Sequence, residues 1–329
     1  MKAVLCRAVG GPETLTIEDI AEPVAGAGEV VVRVEACALN FFDTLITADR
    51  YQFKPARPFS PGGEIAGVVE SLGEGVAGVA VGDRVIAYLK WGGAREKVTV
   101  AIGDLVAMPD GLDFVTAATL SVTYGTAIHG LADRGEVKPG DWVAVLGASG
   151  GAGQAAVEIA KMLGARVVAC ASGAEKLAFC RSIGADEVID YEVEDLKLRL
   201  KELTGGRGVD LVYDAVGDRF TEPAVRALAW RGRLLVVGFA AGQIPKIPLN
   251  LLLLKGCDLR GVFWGDHVTR EPAAFADEMR RIMDGVVAGR IRPHVQATWP
   301  LAETPAAIAE IAARRVRGKL VIVPGGDRS

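Results

Sequence analysis

The apolar run "WVAVLG", residues 142–147, passes directly into "ASGGAG" and then into "QAAVEIAKMLG". A strand that turns through small residues into a helix is the opening of a βαβ unit, and few folds accommodate it. Small residues are required at such a turn. Gly150 and Gly151 let the backbone approach a pyrophosphate, Gly153 lets the helix pack closely on the strand, and the helix N-terminus offers free N–H donors to the anion. Ser149, Gly150, Gly151 and Ala152 are therefore candidate contacts for a dinucleotide.

The surrounding texture agrees with an α/β fold. From about residue 122, "WVAVLG", "RVVACA", "EVID", "VDLVYDAV" and "RLLVVGF" alternate with helix-length segments such as "VEDLKLRLKELTG". Near-continuous apolar strands alternating with helices indicate a parallel sheet buried on both faces. A further run, "DLRGVF" at 258–263, completes the six strands of a full dinucleotide-binding sheet. Residues 1 to about 120 are different: short β-like runs such as "EVVVRVEACAL" and "GGEIAGVVESLG", separated by Gly and Pro, suggest a β-rich, barrel-like domain. With 329 residues, two domains are expected. The tail mixes helix with strand-like ends ("KLVIVPG") and is expected to rejoin the first domain. The expected division is thus 1–121 with 265–329, and 122–264. The run "NLLLLKG" reads as a buried helix.

At the tip of the second strand, where a dinucleotide-binding fold presents an acid to the adenine ribose, stands Cys170-Ala171-Ser172-Gly173. A carboxylate there would accept hydrogen bonds from a 2′-hydroxyl and repel a 2′-phosphate. Glu175, the nearest acid, falls in the first helical turn, where it complements the dipole. Ser172 and Lys176 offer a hydroxyl and an ammonium, both suited to a phosphate, so NADPH is expected over NADH. The plainer reading of Lys176 is a solvated helix residue.

The 41 acidic and 37 basic side chains leave a formal charge of −4, without blocks of one sign, and give no footprint for nucleic acid or an anionic membrane. Five cysteines lack any CxxC pair and His129, His267 and His294 share no metal-ligand spacing, so no metal site is expected and the chain reads as a reduced, cytoplasmic protein. Its N-terminus turns polar too soon for a signal peptide, and no apolar run approaches the ~18 residues of a membrane span. His129 reads as a helix residue, His294 as part of a turn, and His267 as either a groove-lining or a solvated loop residue. Cys37 and Cys170 read as small apolar residues.

The segments "ALNFFDTLITADRY", "PGGEIAGVVESLGEGV", "VGDRV", "SVTYGTAIHGL", "GASGGAGQAAVEIAKMLGARVVA", "SIGADEVIDY", "LTGGRGVDLVYDAVG" and "RGRLLVVGFAAGQIP" resemble, in order, signatures of the medium-chain dehydrogenase/reductase superfamily and its zinc-independent quinone oxidoreductases. The resemblance implies a GroES-like catalytic domain from both chain ends, a central Rossmann domain, an active site in the cleft between them, and homodimers joined through the 258–263 strand. It places Ser172, Lys176 and Tyr191 around the 2′-phosphate and Thr126 and Asn40 near the nicotinamide half. Val216, Gly217, Phe239, Phe263 and Trp264 are placed along the cofactor groove, with Lys319 near its end. Zinc-dependent members carry a Cys in the segment matching "ALNFFD" and a His in a "GHE" triplet; this chain has Asn40–Asp43 without a thiol, and Gly62-Gly63-Glu64.

Without soft ligands for a Lewis acid, the expected acceptor is already electrophilic, a quinone or related enone. Asn40, Asp43 and Tyr51 are the candidate catalytic residues. Asn40 reads as holding the nicotinamide ribose or the acceptor oxygen, or else as a turn residue bonding its own backbone. The spacing of Asp43 and Tyr51 is similar to that in enoyl thioester reductases of the superfamily, where the tyrosine donates a proton; the other reading makes Tyr51 a pocket wall. An acryloyl or enoyl thioester is thus the rival substrate, with Arg50, Lys54 and Arg57 as candidates for a coenzyme A phosphate. A third reading is a crystallin-like NADPH-binding protein without turnover.

Overall fold

The computed structural model describes residues 1–326 and divides the chain into two compact units. One contains residues 1–122, 272–287 and 293 onward, and the other residues 123–271 and 288–292. Along the chain come β1 (Lys2–Cys6), β2 (Leu15–Asp19), β3 (Glu29–Leu39), β4 (Glu64–Leu72), β5 (Arg84–Tyr88), β6 (Lys97–Ala101) and β7 (Leu105–Ala107). Then follow β8 (Trp142–Leu146), β9 (Arg166–Ala171), β10 (Glu187–Asp190), β11 (Val209–Asp214), β12 (Leu228–Val236) and β13 (Asp258–Gly261), and finally β14 (Val295–Pro300) and β15 (Lys319–Val323).

In the second unit, six parallel strands run in the order β10-β9-β8-β11-β12-β13. The strand order reverses at β8, which creates a crevice at the carboxyl ends of the strands. Val143 to Leu146 and Val167 to Cys170 are buried throughout, as expected for a sheet covered on both faces. The helix Gly151–Met162 lies close to β8 because Gly153 has no side chain: a Cβ there would sit 2.2 Å from the Gly147 carbonyl oxygen. Any larger residue must push the helix off the strand.

The first unit is built on the order β14-β15-β3-β4-β5-β7, with β6 also paired to β3. β15 runs antiparallel to β3, Leu320 opposite Leu39, so the C-terminal strand does close the N-terminal sheet. The alternating buried residues Val30, Val32 and Val34 of β3 face a core that also takes in Ile65, Val85, Leu320 and Ile322.

Three expectations are corrected. The helix Trp264–Arg270 belongs to the second unit, so the return to the first falls after Glu271 rather than after residue 264. The reason is packing: Trp264 is buried over Gly125, where a Cβ would meet its ring at 2.7 Å. "NLLLLKG" does form a helix, Asn250–Lys255, but of its leucines only Leu251 is buried, while Leu253 and Leu254 are 80% and 70% exposed. His267 is not in a solvated loop; it is buried on the helix Trp264–Arg270.

Candidate functional site

In the second unit the strand register defines one edge. Asp190 lies opposite Ala171, Cys170 opposite Leu146, Leu146 opposite Asp214, Asp214 opposite Val236, and Val236 opposite Gly261. The six strands therefore end in line. Ser149–Ala152 follow β8, Ser172 and Lys176 follow β9, Tyr191 follows β10, Val216 and Gly217 follow β11, Phe239 follows β12, and Phe263 and Trp264 follow β13. Thr126 reaches the same region through its neighbour Gly125, which abuts Trp264. Residues spread over 139 positions of sequence are gathered on a single rim, where the switch point puts a ligand.

The rim is built to leave room. A Cβ on Gly150 would find only the Gly147 carbonyl oxygen, at 3.7 Å, so its side is open. The helix Gly151–Met162 starts there, and its first N–H groups have no carbonyl within the helix to bond. Phe239 and Phe263 stand 37% and 44% exposed on the same rim, apolar surface of the kind a bound ring covers. Gly217 and Phe239 are packed together, since a Cβ on Gly217 would lie 2.8 Å from the phenyl ring. These features fit a dinucleotide.

Two acids missed by sequence reasoning brace the rim. Asp214, buried at the end of β11, accepts hydrogen bonds from the Val216 and Gly217 N–H groups (2.9 and 2.8 Å) and from the Thr221 hydroxyl (2.6 Å). Burial holds its carboxyl above the ordinary range. Asp190, at the end of β10, accepts from Gly173 N–H at 2.9 Å and from Glu192 N–H at 3.2 Å, which pins the loop carrying Ser172. Both follow the last apolar residue of a strand, in "LVYDAVG" and "EVIDY", and that position is their signal in the sequence. Tyr191 lies against Phe220, ring centroids 4.4 Å apart.

In the first unit, three strand ends bring a second cluster together. Register sets Glu64 opposite Ala38 and Leu320 opposite Leu39, so Asn40, Glu64 and Lys319 meet at one end of β3, β4 and β15. Lys319 Nζ donates to Asn40 Oδ1 (2.6 Å) and to Glu64 Oε1 (2.8 Å), while Asn40 Nδ2 donates to Glu64 Oε1 at 2.9 Å. Glu64 Oε2 accepts from Val122 N–H at 2.7 Å. All three side chains are buried. Asn40 thus joins a long-range network through its amide and also stands at the N-cap of the helix Phe41–Thr47, in a capping box with Asp43. Glu64, present in the sequence only as the end of "GGE", is a member that sequence reasoning missed.

Asp43 sits in the helix Phe41–Thr47, immediately after Asn40, and is buried. Its Oδ2 accepts from Asn40 N–H (2.7 Å) and its Oδ1 from Gly62 N–H (2.8 Å), bolting the helix start to the loop before Glu64. Burial raises its pKa to about 6, against the lowering effect of those two N–H groups and of Lys319. Tyr51 stacks on Phe42 with centroids 5.5 Å apart and meets the edge of Phe53 at 5.7 Å. Burial, and then the charge of Asp43, raise the Tyr51 phenol, so it is protonated at neutral pH. Its hydroxyl has no hydrogen-bond partner among the described residues.

Of the candidate cations for a phosphate, Lys54 and Arg57 both face Asp49, at 3.8 and 3.4 Å, and Arg57 also donates to the Thr47 carbonyl. His129 and His267 stack at 3.9 Å, and burial followed by the charge of His267 pulls His129 down to about 4. Cys37 and Cys170 are buried, with thiols pushed up by desolvation. The Asn40 cluster offers an amide and a carboxylate already paired to an ammonium, with no thiol or imidazole bonded to it among the described residues, a donor set that does not fit zinc.

Residues 26–111 match the family model for the alcohol dehydrogenase GroES-like domain, and residues 151–282 the model for the zinc-binding dehydrogenases. The chain is 37% identical to a quinone oxidoreductase-like protein 2 homolog of Nematostella vectensis, over 98% of this chain and 88% of that one. It is 36% identical to a quinone oxidoreductase of Pseudomonas aeruginosa, over 98% and 99% of the two chains. The chain belongs to the quinone oxidoreductase branch of the medium-chain dehydrogenase/reductase superfamily. Its fold is that of the Escherichia coli quinone oxidoreductase solved in complex with NADPH, with TM-score 0.92, 27% identity, and coverage of 98% of this chain and 100% of the other. Like these members it is an oxidoreductase. Among its described residues no helix is long and apolar enough to cross a membrane.

Proposed function

We propose that this oxidoreductase uses NADPH to reduce a quinone or a related enone. When bound, NADPH supplies the hydride. The observation that carries the reading is the buried Lys319 ammonium, held by Glu64 and Asn40 where a zinc-dependent relative would need soft ligands. Two of the three Lys319 N–H groups are committed, which leaves one, with the second N–H of the Asn40 amide, to stabilise a developing oxyanion on the acceptor. Asp43 acts as a positioning residue that fixes the start of the helix behind Asn40.

On the rim of the second unit, Ser172, Lys176 and Tyr191 hold the 2′-phosphate, and Ser149–Ala152 hold the pyrophosphate at the helix N-terminus. Thr126, Val216, Gly217, Phe239, Phe263 and Trp264 line the remaining groove. The NADPH complex of the Escherichia coli member supports the cofactor, and the names of the relatives support the acceptor.

Homodimers would form by pairing of β13, the last strand of the six, with its copy. The exposed Trp230, Leu253 and Leu254 support this, since Trp230 packs beside Gly256 at the end of the leucine helix. The rival acceptor is an acryloyl or enoyl thioester, favoured by one observation, the unpartnered Tyr51 hydroxyl next to its aromatic stack. Steady-state oxidation of NADPH with a simple quinone tests the main reading. Saturable turnover well above the enzyme-free rate is expected; none with any quinone or enone would leave only a binding protein.

A further inference from the structure

The first unit holds an open surface pocket of about 430 Å³ that no step above uses, lined by Pro55, Pro58, Phe59, Trp91 and Val98, with Arg95 its one charged lining residue. Its volume lies in the range of small-ligand pockets. Arg95 is half-buried, with its backbone held by a bridge to Ala3. One Nη donates to the wholly buried Ser60 hydroxyl at 2.9 Å, while Nε is cut off from water and has no hydrogen-bond partner. No carboxylate pairs with it among the described residues. Arg57, on the adjoining loop, is compensated by Asp49 and by the Thr47 carbonyl.

A guanidinium taken partly out of water without a counter-charge is costly, and burial alone pulls Arg95 below its ordinary value. Its planar set of donors matches a carboxylate, and its neighbour Trp91 offers a flat apolar face. We propose that this pocket is a binding site for an aromatic carboxylate, with the ring against Trp91 and the prolines and the carboxylate on Arg95. Trp91 is also the last member of the aromatic row Phe42, Tyr51, Phe53 and Trp91, whose successive centroids lie 5.5, 5.7 and 6.4 Å apart. An occupant would therefore touch one end of the row whose other end, Phe42, lies two residues after Asn40 in the chain. The site stands on its own geometry and does not depend on which acceptor is reduced.

The test is a calorimetric titration with 1-naphthoate and, separately, with its uncharged isostere 1-naphthamide, both with NADPH saturating so that the nucleotide rim is not the target. Wild-type protein is expected to bind naphthoate saturably and at least ten-fold more tightly than the amide. Arg95→Gln should weaken naphthoate at least ten-fold and leave the amide unchanged, and Trp91→Ala should weaken both. Equal binding of acid and amide by the wild type, or no saturable binding, overturns the proposal without any variant. Unchanged naphthoate affinity in a folded Arg95→Gln protein also overturns it.

Discussion

Replacing Lys319 by Met keeps most of the stem and removes the ammonium, which abandons the Glu64 carboxylate in the interior. Both side chains are almost inaccessible, at 4% and 0% exposure, so solvent screens the pair little. Removing one partner of such a pair costs about 3–5 kcal/mol, because the remaining charge keeps its desolvation penalty. Glu64 retains the Val122 and Asn40 donors, which places the expectation at the lower end, about 3 kcal/mol. For a unit of this size that is roughly a 6–12 °C fall in Tm. Lys319→Met with Glu64→Gln removes the abandoned charge, so the double variant should recover about half of the loss, and a double-mutant cycle in urea should give a coupling of at least about 1 kcal/mol. Activity should fall in the single variant even at temperatures where it is fully folded, because the Asn40 amide loses its acceptor-side anchor. A Lys319→Met protein within about 0.5 kcal/mol of wild type, or a double variant no more stable than the single, would refute the reasoning.

Three further outcomes are expected. Asp43 is raised from 3.8 to about 6 in the folded state, so between those values the folded chain keeps a proton the unfolded chain has released. Its contribution to stability therefore falls as pH rises through that window, by roughly 3 kcal/mol in total, and Asp43→Asn should flatten the slope in pH-dependent denaturation. Ser172→Ala and Lys176→Ala should each raise the Kd for NADPH about ten-fold, the loss of a charge-assisted hydrogen bond, and barely alter that for NADH in fluorescence titrations. Tyr51→Phe should leave quinone turnover intact and slow thioester reduction about 100-fold if the phenol is a proton donor, a comparison read from kcat with the two acceptors.

The common rim of strand ends was legible because its causes are local. Gly153 announces helix–strand contact wherever it stands in a strand–turn–helix run, and parallel strands of similar length end in line, so the residues after them must gather. The Asn40 cluster was only partly legible. Lys319 and Glu64 are 255 positions apart, and the antiparallel placement of both β15 and β4 against β3 brings them into contact. Composition misled at Leu253 and Leu254, since apolar content alone does not distinguish a core helix from one whose leucines lie at the surface of the unit. Tyr51 and Trp91 gave no signal of their stacked row, because the spacing of loop residues carries no period.

The most direct test of the account is kcat/KM for NADPH oxidation with a simple quinone and with an acryloyl thioester, measured side by side against enzyme-free blanks. The account predicts a strong preference for the quinone, unaffected by chelators. A strong preference for the thioester would contradict it and make this chain an enoyl reductase, with Tyr51 as its acid.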